Sequence, residues 1–111
     1  MAYNTIMIFI ETTIFTKAII KQLTDDSYKL LQKSLIINPE NGTLIPGSNG
    51  LRKLRWGLED KGKSGGIRVI YFWDKENSRV YMLLSYSKNE MDNLSQKELV
   101  KISKLVRENL L

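Results

Sequence analysis

The chain has 111 residues, 17 Lys and Arg against 12 Asp and Glu, a formal net charge of +5 and 42% apolar residues. That is the length of one domain, with enough apolar content to build a core without a metal or a crosslink. It contains neither cysteine nor histidine, which excludes disulfides, thiolate metal sites, Cys nucleophiles, imidazole-based triads and histidine metal centres and leaves proton transfer to Lys, Arg, Tyr, Asp or Glu.

Near the start, Ile6, Met7, Ile8, Phe9 and Ile10 form an apolar run closed at once by Glu11. The run is too short to cross a bilayer and lacks both a basic n-region and a small-residue cleavage site. It predicts a short buried strand in a cytoplasmic protein with no membrane partner. From residue 13 to 23, Ile14, Phe15, Ala18, Ile19 and Leu23 recur at helical spacing, with Thr12 or Thr13 as cap. Thr24, Asp25 and Asp26 offer a second cap, and Tyr28, Leu30, Leu31 and Leu35 carry a second helix to the Asn38-Pro39 stop. Residues 39–50 hold both prolines and three turn-forming glycines, and so read as loop with at most a short extended piece at residues 43–45.

Residues 51–56, 67–73 and 80–86 then read as three strands, rich in β-branched and aromatic side chains and joined by hairpin connections at residues 57–66 and 74–78. Both faces of the last two strands are apolar enough to be covered, at least in part, by helices. Ser95 and Glu98 have capping-box spacing, and Leu99, Ile102, Val106 and Leu110 continue a helical stripe to the end. The predicted order is β-α-α-β-β-β-α: a single α+β domain over residues 1–111, with two N-terminal helices and a C-terminal helix gathered on an antiparallel sheet.

The excess charge is concentrated. Residues 51–75 contain seven cations, Arg52, Lys53, Arg55, Lys61, Lys63, Arg68 and Lys75, against Glu59, Asp60 and Asp74. Alternation in the first of these strands puts Lys53 and Arg55 on one face and Leu54 and Trp56 on the other. Arg68 interrupts an apolar run, where a guanidinium is costly unless it reaches solvent or an anion; the structural alternative is an ion pair with Glu11 or Glu90. Tyr86 and Lys88 share a face if the last strand continues that far. Cations around a glycine-rich connection, with aromatic rings nearby, suit phosphate and base contacts. Net charge alone serves solubility equally well, Tyr86 fits a core position as well as a catalytic one, and Trp56, Tyr71 and Trp73 read as core or rim. Gly62, Gly65 and Gly66 match neither the Walker nor the Rossmann spacing and precede no helix, so they predict a hairpin loop.

Three strings carry a family resemblance: Ile45-Pro46-Gly47-Ser48-Asn49-Gly50-Leu51-Arg52-Lys53-Leu54-Arg55-Trp56, Gly62-Lys63-Ser64-Gly65-Gly66-Ile67-Arg68-Val69-Ile70-Tyr71, and Tyr86-Ser87-Lys88-Asn89-Glu90. In order and spacing they resemble the HigB-like branch of the RelE/ParE toxin superfamily. The early Phe9-Ile10-Glu11-Thr12-Thr13-Ile14-Phe15 and the Leu94-Ser95 start of the last helix fit the same pattern.

The resemblance implies a RelE-like fold and the toxin of a type II toxin–antitoxin system. Such a toxin is a ribosome-dependent endoribonuclease that cuts translated mRNA at the ribosomal A site. It needs no metal or cofactor, because the 2′-OH of the RNA attacks the adjacent phosphate to leave a 2′,3′-cyclic phosphate and a 5′-OH. By the same resemblance Lys53 and Arg55 hold phosphate and help activate the 2′-OH, and Arg68 neutralises the phosphorane. Lys88 adds a cation, with Tyr86 and Lys88 standing in as general acid. Arg52, Lys61, Lys63 and Asn89 are the expected RNA contacts, Asn89 replacing an arginine of the RelE branch. The implied partners are the ribosome with its mRNA and a helix-turn-helix, HigA-like antitoxin, through which alone the toxin meets operator DNA. Two other functions are weighed against this one. A ParE-like gyrase inhibitor would lack the cationic quartet of Lys53, Arg55, Arg68 and Lys88, and a plain RNA- or ribosome-binding module would need charge without positioning.

Overall fold

The computed structural model describes residues 6–58, 62–87, 96–106 and 108. The elements are β1 (Ile8–Glu11), α1 (Thr13–Gln22), α2 (Asp25–Ile37), β2 (Thr43–Leu44), β3 (Leu51–Leu58), β4 (Gly62–Asp74), β5 (Arg79–Ser87) and α3 (Gln96–Leu105). The strands form one sheet in the order β1-β5-β4-β3-β2. All neighbours are antiparallel except β1 and β5, which run parallel. The fold is α+β, as the order of elements predicts. No helix among the described residues is long and apolar enough to cross a membrane.

Both N-terminal helices start where their caps dictate. The Thr12 hydroxyl accepts from the Phe15 N–H at 3.0 Å and donates to the Leu83 carbonyl at 2.8 Å, so one side chain caps α1 and ties it to β5. Thr24 accepts from the Ser27 N–H at 3.1 Å, and Asp25 and Asp26 place negative charge at the positive end of α2. The helix stops at Asn38, where the following Pro39 disfavours helical backbone. Ser95, the expected cap of α3, lies outside the described residues.

Alternation along β4 divides two cores. Ile67, Val69 and Tyr71 pack with Leu54, Val80 and Met82 against Phe15 and Ile19 of α1 and Leu31 and Leu35 of α2. On the other face Ile70 joins Leu51, Tyr81, Leu83 and Tyr86 against Leu99 and Val106, with Phe72 and Ile102 partly buried beside them. The sheet is therefore the middle of three layers, with α1 and α2 on one side and α3 on the other.

Pairing departs from expectation in two places. The first strand is half-exposed rather than buried, with Ile8 46% accessible, because it is an edge strand that among the described residues pairs only with β5. The connection expected at residues 57–66 is mostly strand: β3 and β4 remain paired as far as Leu58↔Gly62, past an irregularity between Trp56 and Leu58. Glycines there serve close backbone approach. A Cβ on Gly66 would sit 2.0 Å from the Trp56 carbonyl oxygen, which no side chain can satisfy.

The segment before β3 is a built turn. Gly47, Asn49 and Gly50 all take positive φ, and buried Ser48 uses its hydroxyl to bond the Ile45 carbonyl at 2.6 Å and the Leu51 N–H at 3.0 Å. The Ile45–Gly50 string is thus scaffolding that sets where β3 begins.

Candidate active site

Strand register assembles the cationic residues on the α3 face of the sheet. Arg55 of β3 is the Cα partner of Arg68 of β4, and Arg68 is the partner of Tyr86 of β5. The three side chains therefore form one row across three strands. Two residues along, Lys53 pairs with Ile70, which pairs with Leu84. Beyond that lies Leu51 opposite Phe72. The face grades from apolar, under α3, to cationic toward the Leu58↔Gly62 end of the ribbon.

Arg68 is the most constrained member. It is 7% exposed, and its Nη1 is buried without a hydrogen-bond partner. An unsatisfied buried donor on a charged group costs about 1–3 kcal/mol or more. Arg55 directly opposite makes that cost larger, since like charges facing across a strand pair repel. The ion pair weighed with Glu11 does not form: Glu11 accepts from Thr16 and Tyr28, each at 2.6 Å, at the junction of β1, α1 and α2. Glu90 lies outside the described residues. Two guanidiniums on one sheet face, one holding an unused buried donor, have the chemistry to receive an anion.

Lys53 is half-buried, Arg55 exposed and Tyr86 5% exposed. Lys53 and Arg55 share a face, as alternation predicts, but it is the face that α3 partly covers, with apolar Ile70 and Leu84 in line with Lys53. The row thus sits at the border of a hydrophobic core, where charge–charge interactions are screened less than on an open surface.

Arg52 belongs elsewhere. It lies opposite Tyr71, on the side of Leu54 and Trp56, and its Nη1 donates to the carbonyls of Gly42 at 2.8 Å and Glu40 at 3.2 Å while Nη2 stands 3.9 Å from the Glu40 carboxylate. Tyr71 pins the same loop by accepting from the Gly42 N–H and donating to the Pro39 carbonyl, both at 2.8 Å. Burial raises the pKa of its phenol, against the opposing pull of the Gly42 N–H and Arg52. The signal that separates Arg52 from the row was present in the sequence, since residues 52, 54 and 56 share one parity. Lys61, Lys88 and Asn89 lie outside the described residues, and Lys63 falls in β4.

Trp56 and Trp73 are half-buried against the α1–α2 core, and Tyr71 is wholly within it. None of these rings stands on the face of the basic row. The Trp56 indole N–H instead donates to the Ser27 hydroxyl at 3.3 Å, holding β3 to α2.

Fold and site together define a small α+β protein with a row of cations on one sheet face, flanked by a covering helix. The family model of the RelE toxin of the RelE / RelB toxin–antitoxin system matches residues 20–110, a span that includes the whole row, the ribbon and α3. The chain belongs to this family: it is the toxin of a toxin–antitoxin pair, and an antitoxin is its partner.

Proposed function

We propose that this toxin is a ribosome-dependent endoribonuclease of the HigB-like branch, cutting translated mRNA in the ribosomal A site. The observation that carries the reading is the buried, unpartnered Nη1 of Arg68, set opposite Arg55 on one side and Tyr86 on the other. A scissile phosphate placed on this row meets two guanidiniums with donors to spare. The 2′-oxygen forms a bond to phosphorus, the bond from phosphorus to the 5′-oxygen breaks, and the products are a 2′,3′-cyclic phosphate and a 5′-OH.

Lys53 and Arg55 hold the phosphate and favour ionisation of the 2′-OH, whose proton leaves to solvent or to a neighbouring base. Arg68 faces the additional negative charge of the five-coordinate phosphorus, the point at which a preorganised donor is worth most. Tyr86, with Lys88 in the segment that follows, supplies the proton for the departing 5′-oxygen. Lys61, Lys63 and Asn89 serve as contacts to neighbouring nucleotides. The scheme calls on no metal or cofactor. A type II arrangement, with a HigA-like helix-turn-helix antitoxin that alone carries the pair to operator DNA, completes the reading for a cytoplasmic protein.

Mapping the 5′ ends of a defined mRNA in a reconstituted bacterial translation reaction, beside the same RNA without ribosomes, tests it. Discrete A-site cuts that need ribosomes and vanish in both Arg68→Ala and Arg68→Lys are the expected result, because an ammonium cannot reproduce two-pronged phosphate contacts. Intact mRNA in both reactions would overturn the catalytic reading. Arg68→Lys behaving as wild type would reduce the row to a binding surface.

A further inference from the structure

Tyr86 lies where β5 has a neighbouring strand on one side alone. Toward β4 the strand stays paired as far as Ile67↔Ser87, but toward β1 the ladder ends at Glu11↔Met82. Among the described residues no other strand takes over, so residues 83–87 form a sheet edge. The carbonyls of such an edge need donors from elsewhere when a helix covers them. Helix α1 supplies these from its two ends. At the first, Thr12 bonds the Met82 carbonyl through its N–H at 3.0 Å and the Leu83 carbonyl through its hydroxyl at 2.8 Å. At the other, Gln22, the last residue of the helix, donates from Nε2 to the Ser85 carbonyl at 3.3 Å.

The contact between Gln22 and Ser85 is a closed ring. The buried Ser85 hydroxyl donates to Gln22 Oε1, so the amide accepts from the side chain of the same residue whose carbonyl it bonds. An amide offers a donor and an acceptor side by side, and the Ser85 carbonyl decides which way round it sits, because only the nitrogen can bond an acceptor. A glutamate of the same shape would set an oxygen against that carbonyl. The pair stands in a layer otherwise built from Phe15, Ile19, Val69 and Met82, where apolar side chains would fill the space at less desolvation cost. What the polar pair adds is a fixed position for one residue of β5. The next residue is Tyr86, which turns to the opposite face, packs with Leu99 and Val106, and is the Cα partner of Arg68. The strand is thus clamped from the α1 side immediately beside the tyrosine of the basic row.

We propose that Gln22 is a positioning residue for RNA cleavage: its amide holds β5 at Ser85 so that the Tyr86 phenol stays beside Arg68, at the 5′-oxygen that leaves phosphorus. The inference rests on the nuclease reading above. As the bond from phosphorus to the 5′-oxygen breaks, its electron pair goes to that oxygen, which takes the phenol proton, and the phenolate regains a proton from solvent. Gln22 acts through the strand alone, from the sheet face opposite the row. With the clamp gone, β5 keeps its pairing to β4 but its free edge can shift, and a misplacement of about 1 Å far from the chemistry can cost about 100-fold in rate. Phosphate binding falls to Lys53, Arg55 and Arg68 and is left as it was.

The test uses the full chain and single-turnover cleavage on ribosomes programmed with a defined mRNA, over a range of toxin concentrations. Gln22→Glu keeps the shape and loses the donor. Ser85→Ala removes the hydroxyl and serves as a second variant, with circular dichroism as the check that each is folded. Both should lower the maximal rate about 10- to 100-fold and leave the toxin concentration at half-maximal rate unchanged. A second mRNA, with sulfur in place of the 5′-oxygen at the cut, separates positioning from general damage. A thiol ordinarily ionises near pH 8.5, so its thiolate departs without a proton, and both variants should cut this mRNA at the wild-type rate. Hydrogen exchange at residues 84–87 should quicken in both. Wild-type rates on the oxygen mRNA, equal slowing on the two mRNAs, or a raised half-maximal concentration with an unchanged maximal rate would each overturn the inference. A wild-type chain that cuts neither mRNA overturns the nuclease reading itself, and with it the role given to Gln22, whatever hydrogen exchange reports of the clamp.

Discussion

Arg55 and Arg68 are Cα partners across the β3–β4 ribbon, so two guanidiniums leave the same sheet face from adjacent backbone positions, and the buried Nη1 of Arg68 has no protein acceptor. Cα partners in antiparallel strands stand about 4.5–5.5 Å apart. Such an arrangement weakens the fold, and under the proposed function it serves to hold a phosphate.

The first prediction follows from that tension. Arg68→Met keeps the aliphatic bulk and removes the charge, and it should raise the free energy of unfolding by about 1–2 kcal/mol, read as a higher urea midpoint. The same substitution should lower the rate of mRNA cleavage by about 100- to 1,000-fold. A variant that loses both stability and activity would show Arg68 to be a structural residue with a partner.

Arg52 and Arg55, three positions apart and on opposite faces, should behave oppositely. Arg52→Ala removes the bonds to the Gly42 and Glu40 carbonyls and should cost about 1.5–3 kcal/mol in urea unfolding. Cleavage per folded molecule should remain within a few-fold of wild type. Arg55→Ala, at an exposed position, should leave the urea midpoint unmoved or slightly raised, because the repulsion with Arg68 is relieved, and depress cleavage strongly.

Gly66→Ala tests the ribbon. With the added Cβ only 2.0 Å from the Trp56 carbonyl oxygen, β3 and β4 must separate beside the Arg55↔Arg68 pair. A loss of about 2–4 kcal/mol is expected, in the range of the most disruptive single substitutions, together with loss of activity. An alanine variant with an unchanged melting temperature would show that the two strands part freely at this point.

Stability should fall in alkali. Burial and the neighbouring Glu11 carboxylate raise the pKa of Tyr28 well above its ordinary value of 10.0, and burial raises that of Tyr71. The folded chain therefore retains protons that the unfolded chain releases above about pH 10. The stabilisation is fully present below that pH and is lost as pH rises beyond it. Urea titrations at successive pH values should show the decline, and Tyr28→Phe, less stable at neutral pH through loss of the bond to Glu11, should show a shallower one.

Much of the fold was legible because it is written locally. Thr12 and Thr24 cap the helices that the apolar spacing after each of them predicts, and Asn38-Pro39 ends the second. Strand parity placed Lys53 and Arg55 together and apart from Leu54 and Trp56. The same parity places Arg52 with Leu54, on the face away from the row; its partners in the structure, the carbonyls of a loop ten or so residues upstream, leave no periodic mark. The extent of the ribbon was also hidden, because glycines read as loop when strand pairing beside a close backbone contact is what holds them.

By itself the sequence determined where the helices and the cores of the strands lie, where the charge collects, and which chemistries are closed to a chain without cysteine or histidine. These are properties of neighbouring residues, carried by spacing, capping and composition. Only the tertiary structure decided that β1 runs parallel to β5, that Glu11 serves Tyr28 and Thr16 rather than Arg68, and that Arg55, Arg68 and Tyr86 stand in one row. The reason is that a strand's period marks its faces but not its neighbour. Its partner is chosen when apolar faces far apart in the chain are buried together, and here that burial brings two arginines to face each other with a donor left over.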